Sequence, residues 1–529
     1  MLFTSYEFII FAAGLLVIYY LIPKQTQWWL LLVASYIFYG LADIKYLIFI
    51  IGITLTAYIT ARVMGNMISN ENSYVQAHRD DMTKDQRKQY RATCKSKRRR
   101  VLITGLIVGF SVLAVIKYTS FLINNANIVG GWFGWRGLTI PQLLLPMGIS
   151  FYTFQSMGYV IDVYRGKVEP EQNLAKFALF VSYFPQLIQG PISRFGDLSA
   201  QLFAPHKFDF RQVLFGLERV LWGYFKKLVI ADRMLVAVNA LIKDPENYHG
   251  VYAFLLIIFY SIQIYADFTG GIDITIGLSE ALGIRLTENF KHPFFSKSTK
   301  EYWRRWHITM GTWFSDYIFY PMSVSKSMQK LSKKSRETLG NNLGKRVPVY
   351  LATLVTWFLT GLWHGAGWNF IVWGLLNAVI ILASQELTPI YNKFHSIFPK
   401  LSKTVPYSVF SMVRTFLLMG TVRVLDCYRN VSVTFKMIGS IFTTPNWSEL
   451  FNGGVLSLGL GAGDYAIVLV GCIIMILVSA VGEKFDVRRE LYKCPAICLT
   501  AYSLLLVSIL IFGAYGIGYD ASQFIYNQF

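Results

Sequence analysis

From Val347 to Ser384 the chain runs 38 residues without a single Asp, Glu, Lys or Arg. That is too long for one ordinary membrane crossing of ~20 residues and about right for two. Lys345 and Arg346 precede the run, and Lys393, Lys400 and Lys403 follow it. Basic flanks favour the cytoplasmic face, so the run predicts a hairpin that enters and leaves from the inner side. Its break falls in "TWFLTGLWHGAGWNF", at Gly361, Gly365 and Gly367, with His364 among them. Seventeen helical residues at ~1.5 Å each span about 25 Å, which places His364 deep, towards the outer leaflet. An ionisable group at that depth is costly and marks a functional site unless its surroundings satisfy it structurally.

The rest of the chain reads the same way. Only 15% of its 529 residues are charged and 54% are hydrophobic, against about 25% charged in soluble domains, and the mean hydropathy is +0.42. Apolar runs near 7–22, 28–41, 45–63 and 101–123, and again near 406–420, 464–482 and 495–514, read as crossings. The expected fold is an all-α polytopic integral membrane protein with about 11–13 transmembrane or re-entrant helices around a central cavity. The segment from Phe8 to Ile22 lacks a basic leader and a clear small-residue cleavage site, so it reads as a retained helix.

A net charge of +20 raises the question of nucleic acid, but its distribution argues against that partner. The segment "HRDDMTKDQRKQYRATCKSKRRR" (78–100) carries ten Lys/Arg against three Asp, and 323–346 carries seven against one Glu. Both read as cytoplasmic loops. Three crossings before the first put the N-terminus outside. The loop "EKFDVRRELYK" (483–493) reads as cytoplasmic and the C-terminal tail as extracytoplasmic, with 422–463 a polar outer stretch that includes an amphipathic helix. The location expected is the cell membrane, in multi-pass form. Cys94, Cys427, Cys472, Cys494 and Cys498 show no spacing of a disulfide framework or zinc site.

The middle, 143–320, is less regular. "YFPQLIQGPISRF" (183–195), "DFTGGIDITIG" (267–277) and "KHPFFSKSTKEYWRRWH" (291–307) put Pro, Gly and charge among apolar runs. Such backbone cannot face lipid, so these pieces line a protein-enclosed or watery cavity or lie at the interface.

His307 and His364 each stand beside tryptophan, Trp306 and Trp363. Neutral imidazole can take a hydroxyl proton and return it, so a buried pair suits acyl transfer to an alcohol. The competing reading is a satisfied structural histidine at a helix break. The other histidines fall in loops or at interfaces. Arg304 and Arg305 offer an anion contact, for example to the phosphates of a coenzyme A thioester. They equally suit an interfacial anchor, or a pair with an acid such as Asp267 or Glu301. No metal-ligand spacing, phosphate loop or nucleophile elbow stands out, and no tightly bound cofactor is expected. The tail "FIYNQF" places Tyr526 either as an interfacial anchor or folded back into a cavity.

Taken in order, "YFPQLIQGPISR", "DFTGGIDITIGLSEALGIRLTENF", "EYWRRWHITMGTWFSDYIFYP", "LTGLWHGAGWNFIVWG" and "FIYNQF" resemble the motifs of the membrane-bound O-acyltransferase (MBOAT) superfamily, most closely its bacterial alginate O-acetyltransferase branch. The resemblance implies a ring of helices around a thinned centre, with an outer funnel and a cytoplasmic path for the donor. It puts the essential histidine on His364 and the second motif histidine on His307. It makes Tyr526, between Phe524 and Phe529, a candidate to take the acyl group briefly and relay it outward. Candidate substrate contacts within these motifs are Gln186, Arg194, Asp267, Arg304, Arg305, Trp306, Trp363 and Asn369. It further implies acetyl-CoA as donor, a polysaccharide acceptor and an extracytoplasmic partner of the SGNH type, alongside membrane lipids. "GGIDI" (270–274) departs from the Tyr-Ser-Asp-type run common in alginate enzymes, which leaves the acceptor open. D-alanyl transfer to teichoic acid, peptidoglycan O-acetylation and transport of an acylated carrier are the alternatives. The whole chain, 1–529, reads as one membrane domain. It comprises N-terminal helices in 1–142 with the basic loop 64–100, a catalytic core in 143–384, and C-terminal helices and tail in 385–529.

Overall fold

Two long helices, the first running from apolar into polar sequence and the second from basic into apolar sequence, set the first part of the molecule. The computed structural model describes residues 3–141 and 143–515, so Tyr526 and the rest of "FIYNQF" lie outside the described residues. Helix Leu47–Ala77 is followed, after a short turn, by helix Lys84–Gly131. The basic segment expected as a loop is therefore the outer half of a helical hairpin. Lys, Arg and Gln are good helix formers, Thr83 and Gln86 close a capping box at the second helix start, and Tyr74 stacks on Tyr90 at 4.6 Å. Arg98 pairs with Glu71 across the hairpin. A helix of 48 residues is about 72 Å long, more than twice the ~30 Å hydrocarbon layer, so its basic end stands clear of the lipid.

Every regular element among the described residues is a helix. Among the described residues, eight helices are long and apolar enough to cross a membrane, and Tyr6–Leu21 and Val431–Thr443 are shorter apolar helices. The protein is an all-α polytopic membrane protein. Its chain groups into two compact units, Met1–Gly216 with Leu278–Thr287, and Leu217–Gly277 with Glu288–Phe529.

In the first unit the irregular "YFPQLIQGPISRF" is wrapped in protein, with Tyr183, Phe184, Leu187 and Ile192 all buried. Two of its polar side chains, Gln186 and Ser193, are satisfied within the protein. Ser193 Oγ donates to Gln186 Oε1 at 2.9 Å, Gln186 Nε2 donates to Gln155 Oε1 at 3.3 Å, and Gln155 Nε2 donates to the Phe180 carbonyl at 2.8 Å.

The second unit opens on a π-helical segment, Phe225–Ala231, that turns Lys226 and Lys227 inward. Lys227 Nζ lies 2.7 Å from Asp267 and 2.6 Å from Asp232. Lys226 and Arg219 share Asp273, and Arg219 also pairs with Glu288 at 2.6 Å. Buried charges are tolerated only when paired in this way. The second basic segment, expected as a loop, is helix Lys326–Gly344, bent where Gly340 adopts a φ of 77°. The crossing expected to end near 420 continues as helix Val405–Tyr428.

Candidate active site

The uncharged run folds as the expected hairpin, helix Val347–His364 followed by helix Trp368–Glu386. Pro348 sits in the first turn, where its missing N–H costs nothing. Thr353, Thr356 and Thr360 return their hydroxyls to the carbonyls four residues back, at 2.7–2.8 Å, so they leave no polar group open to lipid. The two helices touch through glycine. A Cβ on Gly361 would stand 2.4 Å from the Phe370 carbonyl oxygen, and one on Gly374 would stand 2.3 Å from that of Trp357. The first helix ends at His364 because Gly365 is extended, with φ −174° and ψ 161°.

His364 is thereby held at the hairpin tip against aromatic rings. Its ring centroid lies 4.5 Å from that of Trp373 and 5.0 Å from that of Trp363. Trp373 is in turn packed by Trp303 and Trp357 at 5.8 and 6.0 Å, and belongs to a core with Val422 and Leu425. Aromatic walls on that scale fix a ring's position and exclude water.

His307 stands on the other side of Trp363, with ring centroids 5.7 Å apart. It is 1% exposed and sits at φ 47°, ψ 53°, the left-handed region that non-glycine residues enter at a cost of about 1 kcal/mol. A tight turn between helices Thr299–Arg305 and Ile308–Phe314 requires that conformation. Asn289 holds the turn: its backbone carbonyl accepts from the Ile308 N–H at 2.9 Å. Its side-chain Oδ1 accepts from the Thr309 N–H at 3.0 Å and the Thr309 hydroxyl at 2.9 Å, and lies 3.3 Å from His307 Nδ1. Because that oxygen is already receiving two donors, it acts as an acceptor. The hydrogen-bond network therefore assigns the proton of neutral His307 to Nδ1 and leaves Nε2 with the lone pair. Burial, helped by the nearby Arg423 charge, lowers the imidazole to about 3, so His307 is neutral throughout the physiological range.

Arg423 is 5% exposed, and its guanidinium lies 3.9 Å from the centroid of Trp306. Its Nε and Nη2 donate to the Tyr302 hydroxyl at 3.2 and 2.9 Å. Stacking on the indole and a directed hydroxyl hold the buried guanidinium in place. The result is a fixed positive charge close to His307.

The other sequence candidates fall into distinct settings. Trp306 and Trp363 are buried, the first under Arg423 and the second between the two histidines. Asn369 is buried and donates from Nδ2 to the Leu425 carbonyl at 3.2 Å, tying the hairpin to helix Val405–Tyr428. Arg305 is ion-paired with Glu301 at 2.8 Å and with Glu483. Arg304, on the same short helix, is exposed. Asp267 is fully buried against Lys227. Gln186 and Arg194 belong to the first unit, where Arg194 lies 3.9 Å from Asp162.

Sequence reasoning did not single out Asn289, Tyr302 or Arg423. Asn289 and Tyr302 lie inside the quoted motifs but carry no charge to attract notice. Arg423 did leave a signal: "TVRVLDC" places one cation and one acid in an otherwise apolar run. That signal reads as the end of a crossing until Arg423 is seen to be buried.

Long apolar helices, with one histidine at a hairpin tip and a second enclosed in a tight turn, define a multi-pass membrane protein with two histidines packed on one tryptophan. Residues 170–429, which contain both histidines, Asn289 and Arg423, match the model of the MBOAT, membrane-bound O-acyltransferase family. Over 465 residues the chain is 33% identical to the probable alginate O-acetylase AlgI of Pseudomonas syringae pv. tomato, covering 87% of this chain and 79% of that protein. It is 29% identical over 406 residues to the peptidoglycan O-acetyltransferase of Helicobacter pylori, covering 72% and 68%. It is 28% identical over 260 residues to the teichoic acid D-alanyltransferase of Bacillus subtilis, covering 47% and 62%. The chain belongs to the membrane-bound O-acyltransferase family and is an O-acyltransferase.

Proposed function

We propose that this enzyme moves an acetyl group from a cytoplasmic thioester, acetyl-CoA, to the outer face of the membrane for O-acetylation of a cell-envelope or secreted polysaccharide. The observation that carries the reading is the packing of His307 and His364 on one tryptophan, Trp363. In the proposed reaction His364 takes the proton of an acceptor hydroxyl as its oxygen attacks the thioester carbonyl. The carbon–sulfur bond then breaks, and the proton passes to the departing thiolate, leaving an ester and a free thiol. The Nδ1–H tautomer gives His307 a lone pair at Nε2, which suits it to orient the acceptor hydroxyl. A neutral ring of that tautomer stabilises an oxyanion poorly, so that task falls to the Arg423 charge.

In this reading the whole chain acts as one membrane domain with both termini extracytoplasmic. Tyr526 is the first acceptor: a phenol of pKa ~10 needs a base at neutral pH. An SGNH-type partner then carries the group to the polymer. Exposed Arg304 offers a contact for the donor phosphates. Replacing His364 by Ala should abolish polymer O-acetylation at unchanged membrane levels, and near-normal acetylation would sink the assignment. Full activity in Tyr526→Phe would remove the relay and leave direct transfer.

D-alanyl transfer to teichoic acid and peptidoglycan O-acetylation are second readings, supported by the activities named for two of the relatives. Mass spectrometry of envelope polymers from a deletion strain separates them, by the missing acyl group and the polymer that lacks it.

A further inference from the structure

Helix Lys326–Gly344 exposes five cations on its first three turns: Lys326, Lys330, Lys333, Lys334 and Arg336. Among the described residues, none of the five has an acid within ion-pair distance. Nearby arginines are neutralised: Arg346 pairs with Glu386, and Arg305 with Glu301 and Glu483. A cationic surface without counter-charge within the protein attracts an anion from outside it. Charge of that kind is often only solvated, so the case for a ligand rests on shape.

The helix bends at Gly340, and beyond the bend the chain returns on itself. A Cβ on Gly344 would stand 2.4 Å from the Arg336 amide nitrogen and 2.5 Å from its Cα. The return leaves an open pocket of about 440 Å³, within the roughly 300–1,000 Å³ of small-ligand sites. Gln329, Ser332, Lys333, Arg336 and Glu337 line it from one helix face, at the three- and four-residue spacings that bring side chains together. Asn341 lines it from beyond the bend. Met328 and Ser335, both buried, fix a different face of the helix against the protein.

The lining narrows the ligand. Lys333, Arg336 and the Ser332 hydroxyl are donors of the kind that hold a phosphate. Glu337 can only accept, and the Gln329 and Asn341 amides accept as well as donate, so they suit hydroxyl groups on the same molecule. Lys330 and Lys334 add positive field beside the pocket, which favours a net anion over a zwitterion. Leu339 and Leu343, 54% and 52% exposed, flank the bend. Membrane helix Val347–His364 starts three residues after Gly344. Cations beside exposed leucines, where a chain enters the bilayer, match the boundary between lipid headgroups and acyl chains. A soluble phosphate compound would leave the leucines without a role.

We propose that this pocket binds the headgroup of an anionic glycerophospholipid of the phosphatidylglycerol class. Lys333, Arg336 and Ser332 take its phosphate, Glu337 and Asn341 its headgroup hydroxyls, and Leu339 and Leu343 lie against its acyl chains. The site is independent of the transfer reaction proposed above and is tested by binding alone.

The full chain in neutral detergent is titrated with dioctanoyl phosphatidylglycerol and with dioctanoyl phosphatidylcholine while its melting temperature is followed. Phosphatidylglycerol should raise that temperature saturably and phosphatidylcholine should raise it little. Lys333→Gln combined with Arg336→Gln, both exposed changes, should melt like the parent without lipid. It should bind phosphatidylglycerol about tenfold or more weakly, the scale for removing two cations from a headgroup. Lys393→Gln combined with Lys400→Gln removes two exposed cations outside the pocket and should bind like the parent. If the first pair does not fold, Lys333→Gln decides alone, with a several-fold loss. Equal weakening by both pairs would mean diffuse attraction to a basic surface and overturn the pocket, as would no saturable effect of phosphatidylglycerol. Coenzyme A is the third titrant. Stabilisation by it, lost in the Lys333 and Arg336 variant and without any effect of lipid, would put a soluble phosphate in the pocket and overturn the lipid assignment.

Discussion

His307 Nδ1 stands 3.3 Å from Asn289 Oδ1, an oxygen that also receives the Thr309 amide and hydroxyl. One amide side chain, 0% exposed, thus sets the turn, the ring orientation and the tautomer of a buried histidine. Asn289→Ala leaves three buried groups without that partner, at about 1–3 kcal/mol for a buried group left unpaired. It should melt markedly earlier in detergent and lose most transfer activity. Asn289→Asp keeps the acceptor and should fold, while its charge raises the His307 pKa. A shift of the acid limb of the pH–rate profile towards higher pH in that variant checks the contact.

The depressed pKa of His307 has a consequence for stability. The residue titrates near 3 when folded, against 6.5 in its ordinary state. Between those values the unfolded chain binds a proton that the folded chain refuses, so stability falls as pH falls from 6.5 towards 3. Above 6.5 both forms are neutral and the residue contributes no pH dependence. His307→Asn retains a donor and tolerates positive φ. Its melting temperature should drop less than the parent's between pH 7 and pH 4.5. Parallel curves would mean that His307 takes up its proton in the folded state.

The glycine contact in the hairpin makes a sharper prediction than an ordinary core change. The added Cβ of Gly361→Ala or Gly374→Ala meets backbone oxygen, which no rotamer can move. Each should cost about 1–3 kcal/mol through separation of the helices, and each should lower transfer by displacing His364 from Trp373. Gly14→Ala, where nothing lies within 4 Å, is the control and should be neutral in both assays.

Arg305 distinguishes an architectural ion pair from a donor contact. Arg305→Glu alone places three acids together, with Glu301 and Glu483, and should lower expression or stability. Combining it with Glu483→Arg should restore both if pairing is the whole role. A double variant that folds normally but has a KM for the thioester raised tenfold or more would show that the guanidinium also meets the donor.

Some of the site was legible because its signal is local. The hairpin, its break at the glycines and the position of His364 follow from hydropathy and from where helices stop, properties of consecutive residues. The basic segments were placed on the right stretches but assigned the wrong form. Charge composition gives a segment's relation to lipid, not its backbone conformation, and the capping box at Thr83 outweighs the absence of apolar periodicity. Arg305 was open between two roles because its partners lie on different elements, Glu301 on its own helix and Glu483 178 residues away.

The sequence by itself determined that this protein is a bundle of membrane helices, that its longest uncharged run turns back on itself, and that a histidine sits at the turn. Those conclusions depend on transfer free energy, which sums along the chain whatever it later touches. The tertiary structure alone decided that His307 is neutral with its proton on Nδ1, that Arg423 is a buried charge, and that Trp363 joins the two histidines. Each depends on contact between residues far apart in sequence, 18 residues for Asn289 with His307 and 121 for Tyr302 with Arg423. A hydrogen bond needs a partner within about 3 Å, and only the folded chain supplies that distance.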